Sequence, residues 1–83
     1  MSRVTKFIKS KREKINMTQE ELGNLLGFAG KQYVSNIERE VANWPDKYLP
    51  KLTRLLKISK YELVEYYLAD SRTNFERIFE GKK

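Results

Sequence analysis

Apolar residues recur three and four positions apart along nearly all of the 83-residue chain, and no segment sustains the two-residue alternation of a half-buried strand. That period leaves helices packed on helices, an all-α class, as the fold. Val4, Phe7, Ile8 and Ile15 share one face of a first helix over roughly residues 3–14, which Asn16 ends. Thr18 and Glu21 form a capping box that opens a second helix, with Leu22, Leu25 and Leu26 inward and Gly27 as its stop. Gly27-Phe28-Ala29-Gly30 reads as a tight turn carrying one apolar plug. Residues 31–39 resume the helical period. Val34, Ile37 and then Val41 point inward, while Lys31, Gln32, Ser35, Asn36 and Arg39 lie on the opposite arc.

Trp44-Pro45-Asp46 breaks the pattern. A fourth helix is expected over about residues 47–57, buried through Leu49, Leu52, Leu55 and Leu56, with Pro50 in its first turn. Ser59 and Glu62 form a second capping box for a fifth helix through Tyr67, with Leu63 and Tyr67 on one side. Asp70 or Ser71 can cap a sixth, carrying Phe75, Ile78 and Phe79 and stopping at Gly81.

Composition narrows the chemistry. The chain has no cysteine and no histidine, which removes disulfides, thiolate metal sites, a cysteine nucleophile and the commonest general base. The carboxylates of Glu20, Glu21, Asp46 and Asp70 have no spacing that suggests a metal cage or an acid–base pair, and no glycine loop is built to cradle phosphate. We therefore expect no enzyme, no metal and no cofactor. The net charge is +6, and residues 1–15 hold six basic groups against one acidic. Such a chain is suited to a polyanion, either nucleic acid or an acidic membrane surface. No apolar run reaches the roughly 18 residues of a membrane span. The apolar face of the first helix is also what a globular core consumes, so no membrane partner is expected.

Two short helices joined by a glycine-bounded turn have the spacing of a helix-turn-helix. Gly23 fits it, because a mid-helix glycine costs about 1 kcal/mol and is compensated where another element approaches closely. Thr18-Gln19-Glu20-Glu21-Leu22, then Leu25-Leu26-Gly27, then Val34-Ser35-Asn36-Ile37-Glu38 resemble the lambdoid repressor/Cro-type (XRE-type) helix-turn-helix family. Leu49-Pro50, Leu52 and Leu55-Leu56-Lys57-Ile58-Ser59 resemble its fourth helix and the opening of its fifth. The resemblance covers about residues 3–68. It implies a DNA phosphate contact at Gln19, base-edge contacts from Lys31, Gln32 and Asn36 on the third helix, and an internal ion pair between Arg12 and Glu38. Ser35 lies on the same outward arc as a further base-contacting candidate, and Arg39, Asn43 and Lys47 are candidates for the DNA backbone. The residue types agree, since glutamine and asparagine suit the adenine edge and lysine the guanine edge.

Two departures from the family pattern stand out. The stretch from Gly27 to Glu38 is one residue longer than usual, which leaves the first residue of the third helix open. Glu40 stands where many members carry glycine, so either the third helix runs longer or Asn43 takes the left-handed position.

The resemblance implies a compact five-helix, repressor-like domain over residues 1–68; residues 69–83 lie beyond it as an extension, and their candidate sixth helix either dimerises or folds back onto its own domain. The expected function is that of a sequence-specific, double-stranded DNA-binding regulator, a repressor or autoregulator, in the cytoplasm or nucleoid of a bacterium or phage-infected cell. A homodimer on an inverted repeat is expected, with Leu63, Tyr66, Tyr67, Phe75, Ile78 and Phe79 at the interface. The alternative is an adapter or antitoxin that uses the same fold to bind a protein partner.

Overall fold

A helix of seven residues gains too little from its own hydrogen bonds to stand alone in water, and three of the five helices here are that short. The computed structural model describes residues 2–80. In chain order they form α1 (Arg3–Lys14), α2 (Gln19–Leu25), α3 (Gln32–Glu38), a single 3-10 turn (Asp46–Tyr48) that runs into α4 (Leu49–Leu55), and α5 (Lys60–Glu80). The short helices persist through what they bury. Leu22, Val34, Ile37, Leu52 and Leu56 meet Ile8 of α1 in a fully enclosed centre, with Phe7, Leu26, Ile58 and Leu63 around it.

Three residues expected inward are exposed. Ile15 is the C-cap of α1, past its last full turn, and Leu25 lies beside the arc already filled by Leu22 and Leu26. Val41 follows a reversal of the chain and is 72% exposed. Trp44, read from the sequence only as part of a break, takes a core place instead.

Four helices end in one way. A residue with positive φ follows the C-cap, and the next N–H donates back to the carbonyl five residues earlier. The left-handed residues are Asn16 (φ 58°), Gly27 (φ 87°), Glu40 (φ 63°) and Lys57 (φ 55°). The closing bonds run from Met17 to Arg12 (3.1 Å), Phe28 to Gly23 (2.8 Å), Val41 to Asn36 (2.9 Å) and Ile58 to Thr53 (2.9 Å). So α3 does not run longer, and Asn43 does not supply the reversal. Glu40 itself occupies the position where the family often has glycine.

The start of α1 is closed by its own N-cap, Ser2, and by side chains from far along the chain. Ser2 Oγ accepts from the Thr5 N–H at 3.1 Å. Asp70 Oδ1 accepts from the Arg3 N–H at 2.8 Å and Asp70 Oδ2 from the Val4 N–H at 3.0 Å, while the Ser2 N–H donates to Glu40. The first turn of α1 has no acidic residue of its own. The carboxylate that its positive end favours is lent by α5.

This contact requires α5 to continue through residue 70. The segment expected as a separate sixth helix is therefore the second half of α5, and neither Asp70 nor Ser71 caps a new element. The expected stop at Gly81 lies outside the described residues. Arg3 Nη1 adds bonds to the Ala69 carbonyl (3.2 Å) and to Thr73 Oγ1 (3.0 Å), tying α1 to α5 past residue 68.

Burial alone would raise the Asp70 pKa. The bonds from Val4, Arg3 and Ser2 and the Arg3 charge together hold it below its ordinary value of 3.8. Stability contributed by a depressed carboxyl is fully present above the unfolded value and fades as pH falls through the folded one. Asp70→Ala is expected to lower the unfolding free energy by about 1–2 kcal/mol at pH 7, with the difference shrinking below pH 4 in urea titrations. Lys57→Gly should act the opposite way. Removing a side chain from a left-handed residue is expected to raise stability by about 1 kcal/mol, read as an increase of about 4–8 °C in thermal midpoint.

Candidate nucleic-acid interface

A binding helix must be held at both ends if its outer face is to be presented in one orientation. At its leading end α3 is fixed through the turn. A Cβ on Gly23 would overlap the Gly30 carbonyl oxygen, so the returning chain lies directly against α2 there. Phe28 fills the turn, as expected of its plug. Its ring centroid is 4.5 Å from that of Tyr33 on α3 and 5.1 Å from that of Tyr48.

At its trailing end α3 is anchored by charge. Glu38 is its last residue. The Glu38 carboxylate accepts from Arg12 Nε at 2.8 Å, Arg12 Nη2 at 3.0 Å and Gln19 Nε2 at 2.8 Å. Arg12 Nη1 also donates to the Met17 carbonyl at 2.6 Å. One cluster thus joins α1, the α1–α2 loop, the first residue of α2 and the end of α3. The side chains of Arg12 and Glu38 are only 9% and 2% exposed.

The ion pair implied by the family resemblance is therefore present. Gln19, by contrast, sits within this cluster, where it spends one N–H on Glu38. Beside it, the Thr18–Glu21 capping box is complete in both directions. The bond from the Thr18 N–H lowers the Glu21 pKa.

Between these anchors α3 turns Val34 and Ile37 into the core and leaves the other arc accessible. Gln32, Asn36 and Arg39 fall at i, i+4 and i+7 and meet. Gln32 Nε2 donates to Asn36 Oδ1 at 3.0 Å, and Arg39 Nη2 donates to the same oxygen at 2.7 Å. Ser35 is half-buried on this arc. Lys31 is exposed and stands one residue before α3, in the N-cap position, so the helix begins at Gln32.

The remaining expected contacts are more scattered. The Lys47 ammonium lies 5.2 Å above the Tyr48 ring. Asn43 lines a half-open cleft of about 560 Å³ between the start of α1, the loop after α3, and α5, apart from the α3 face.

The geometry also redistributes the expected C-terminal interface. Leu63 is buried in the chain's own core and is not available to a partner. Tyr66 stacks on Phe7 of α1, with ring centroids 4.4 Å apart. Tyr67, Phe75, Ile78 and Phe79 are exposed, as are Tyr61, Val64 and Leu68 outside the expected set.

The model of the helix-turn-helix family matches residues 8–63, which contain α2, the turn and α3 entire. The chain belongs to the XRE-type helix-turn-helix family. Neither the comparison with curated proteins nor that with solved structures gave a match. This helix-turn-helix family is one of DNA-binding transcription regulators rather than enzymes. Among the described residues, no helix is long and apolar enough to cross a membrane.

In this helix-turn-helix the Arg12–Glu38 pair is the constraint most open to test. Arg12→Ala would strand a carboxylate in the interior and is expected to cost about 3–5 kcal/mol. A double variant, Arg12→Met with Glu38→Leu, should recover a large part of that loss. Paired denaturant titrations measure both, and a wild-type midpoint for Arg12→Ala would contradict the pair's structural role.

Proposed function

We propose that this chain is a sequence-specific, double-stranded DNA-binding transcription regulator, acting as a repressor or autoregulator in a bacterial or phage-infected cell, and that it lays α3 in the major groove. The observation that carries this reading is the Gln32–Asn36–Arg39 ladder. Three side chains suited to base edges and phosphates share the only arc of α3 that the core leaves free.

Each residue has a role in this reading. Gln32 and Asn36 meet base edges, preferentially adenine, through amides that give and accept together. Lys31 and Ser35 flank them. Arg39 releases Asn36 Oδ1 to reach a phosphate, and the freed oxygen then accepts from a base. Gln19 keeps one N–H on Glu38 and offers its second to the DNA backbone. Lys47 serves the same backbone further along, and Asn43 joins it only if the bound DNA curves toward the cleft that it lines. A seven-residue α3 is roughly 10 Å long and reaches few base pairs, so a unique site calls for two copies on an inverted repeat.

Selection of bound sequences from a random duplex pool, followed by titration of the winning site, tests the reading. Gln32→Ala and Asn36→Ala are each expected to lose about 1–3 kcal/mol on the selected site and little on random DNA. Equal losses on both would confine these residues to the phosphates. Absence of any salt-dependent duplex binding would overturn the DNA reading altogether.

A further inference from the structure

α5 has two sides: one packs on its own domain, and the other is exposed, with Val64 bordering a groove beside α4 and Ser71 the cleft at the start of α1. Leu63, Tyr66, Asp70 and Thr73 face α1 and the core. On the opposite side, Tyr61, Val64, Leu68, Ser71, Phe75 and Ile78 follow one another at intervals of 3, 4, 3, 4 and 3. All six are exposed, and the five large apolar ones range from 51% to 73%. This is the alternating period of a coiled-coil seam, sustained over roughly 26 Å of helix.

We propose that the seam pairs antiparallel with the same seam of a second copy, about a two-fold axis that crosses the helices between residues 69 and 70. The proposal deepens the two-copy reading above and supplies the surface that joins the copies. In this register Tyr61 lies opposite the partner's Ile78, Val64 opposite the partner's Phe75, and Leu68 opposite the partner's Ser71. Each layer sets a larger side chain against a smaller one, which fills space evenly. A parallel pair would instead stack Ser71 on Ser71 and Phe75 on Phe75, leaving a gap beside a bulge.

Charge selects the same occupant. The positions flanking the seam on one edge include Glu65 and Arg72, and Arg72 also pairs with Glu76 one turn along at 3.6 Å, a highly exposed contact that leaves its guanidinium accessible to a second carboxylate. Antiparallel pairing places Glu65 beside the partner's Arg72 twice over, so the edge complements itself and needs no other protein. Opposed helix dipoles also favour this direction.

The seam is tested without DNA, so its failure leaves the DNA reading standing. Sedimentation from 1 to 100 μM is expected to show a dimer for the wild type. Leu68→Glu is expected to raise the dissociation constant on the order of 100-fold with unchanged helicity. Glu65→Arg, on the exposed edge, should weaken self-association, and so should Arg72→Glu. An equimolar mixture of those two variants should restore it, because each then opposes charges of the other sign.

Direction is read by thiols, which the native chain lacks. A mixture of Val64→Cys and Phe75→Cys chains should oxidise to the mixed disulfide. In the antiparallel register two copies of residue 64 lie roughly 16 Å apart along the axis, too far to bridge. A wild type that stays monomeric throughout, a Leu68→Glu variant that dimerises as well as wild type, failure of the mixed charge variants to reassociate, or preferred disulfides between like positions would each overturn the proposal.

Discussion

The Glu38 carboxylate is enclosed by protein and accepts three hydrogen bonds. The placement of the outward face of α3 depends on that arrangement. A carboxylate this deeply buried is costly unless it is paired and its lone pairs are met. Arg12 and Gln19 meet them only when α1, the start of α2 and the end of α3 stand in one mutual arrangement. The pair therefore acts as a geometric lock, whatever its net worth in stability. Val34 and Ile37 supply attraction to the core, but apolar contact alone would tolerate a slide or a roll of so short a helix. The charged anchor at one end and the Gly23–Gly30 backbone contact at the other remove that freedom.

The same logic of distant closure governs the helix ends. Short helices expose a large share of unpaired backbone groups, and this chain closes them in two ways. C-termini are closed locally, by a left-handed residue and a backward bond. The α1 N-terminus is closed by tertiary partners, Asp70 and Glu40, which lie 67 and 38 residues from the groups they accept from. The domain is thus stitched at the point where α1 begins, and α5 must be long enough to deliver Asp70 there. The extension beyond residue 68 is part of that stitch before it is anything else.

Local capping chemistry marks the end of α1, both ends of α2 and the start of α4, because Thr18, Asn16, Gly27 and Pro50 signal ends that depend on neighbours within a few residues, whereas α3 is legible by its period alone. Glu40 and Lys57 gave no such signal. Their residue types do not favour positive φ, and the reversals are seen only in the backward bonds that the Val41 and Ile58 N–H groups make. Asp70 misled for a similar reason. A carboxylate near an apolar run looks like a local cap, and nothing nearby in sequence shows that its partner is the other end of the chain. In the candidate site, the outward arc of α3 was legible because Val34 and Ile37 fix the inward one. Gln19 was not, since its bond to Glu38 depends on three elements at once. The burial of Leu63 was not legible either, because periodicity gives a helix's apolar positions but not which of two apolar faces the domain consumes.

That last ambiguity explains the shape of α5. A helix that serves only its own core carries one apolar stripe of the 3.6-residue period. α5 carries a second, of the 3.5-residue period, on the side turned away from α1. The first stripe is short and is interrupted by the polar Asp70 and Thr73, whose partners lie on α1. The second passes nearly unbroken along the helix, past the last contact with α1. Their difference in length is informative. Anchoring the domain needs α5 only as far as Thr73, whereas Phe75 and Ile78 lie beyond that point. The distal turns are apolar on the outward side alone, where Phe75 and Phe79 pack edge to face with ring centroids 5.0 Å apart, so these residues serve neither the core nor the contact with α1.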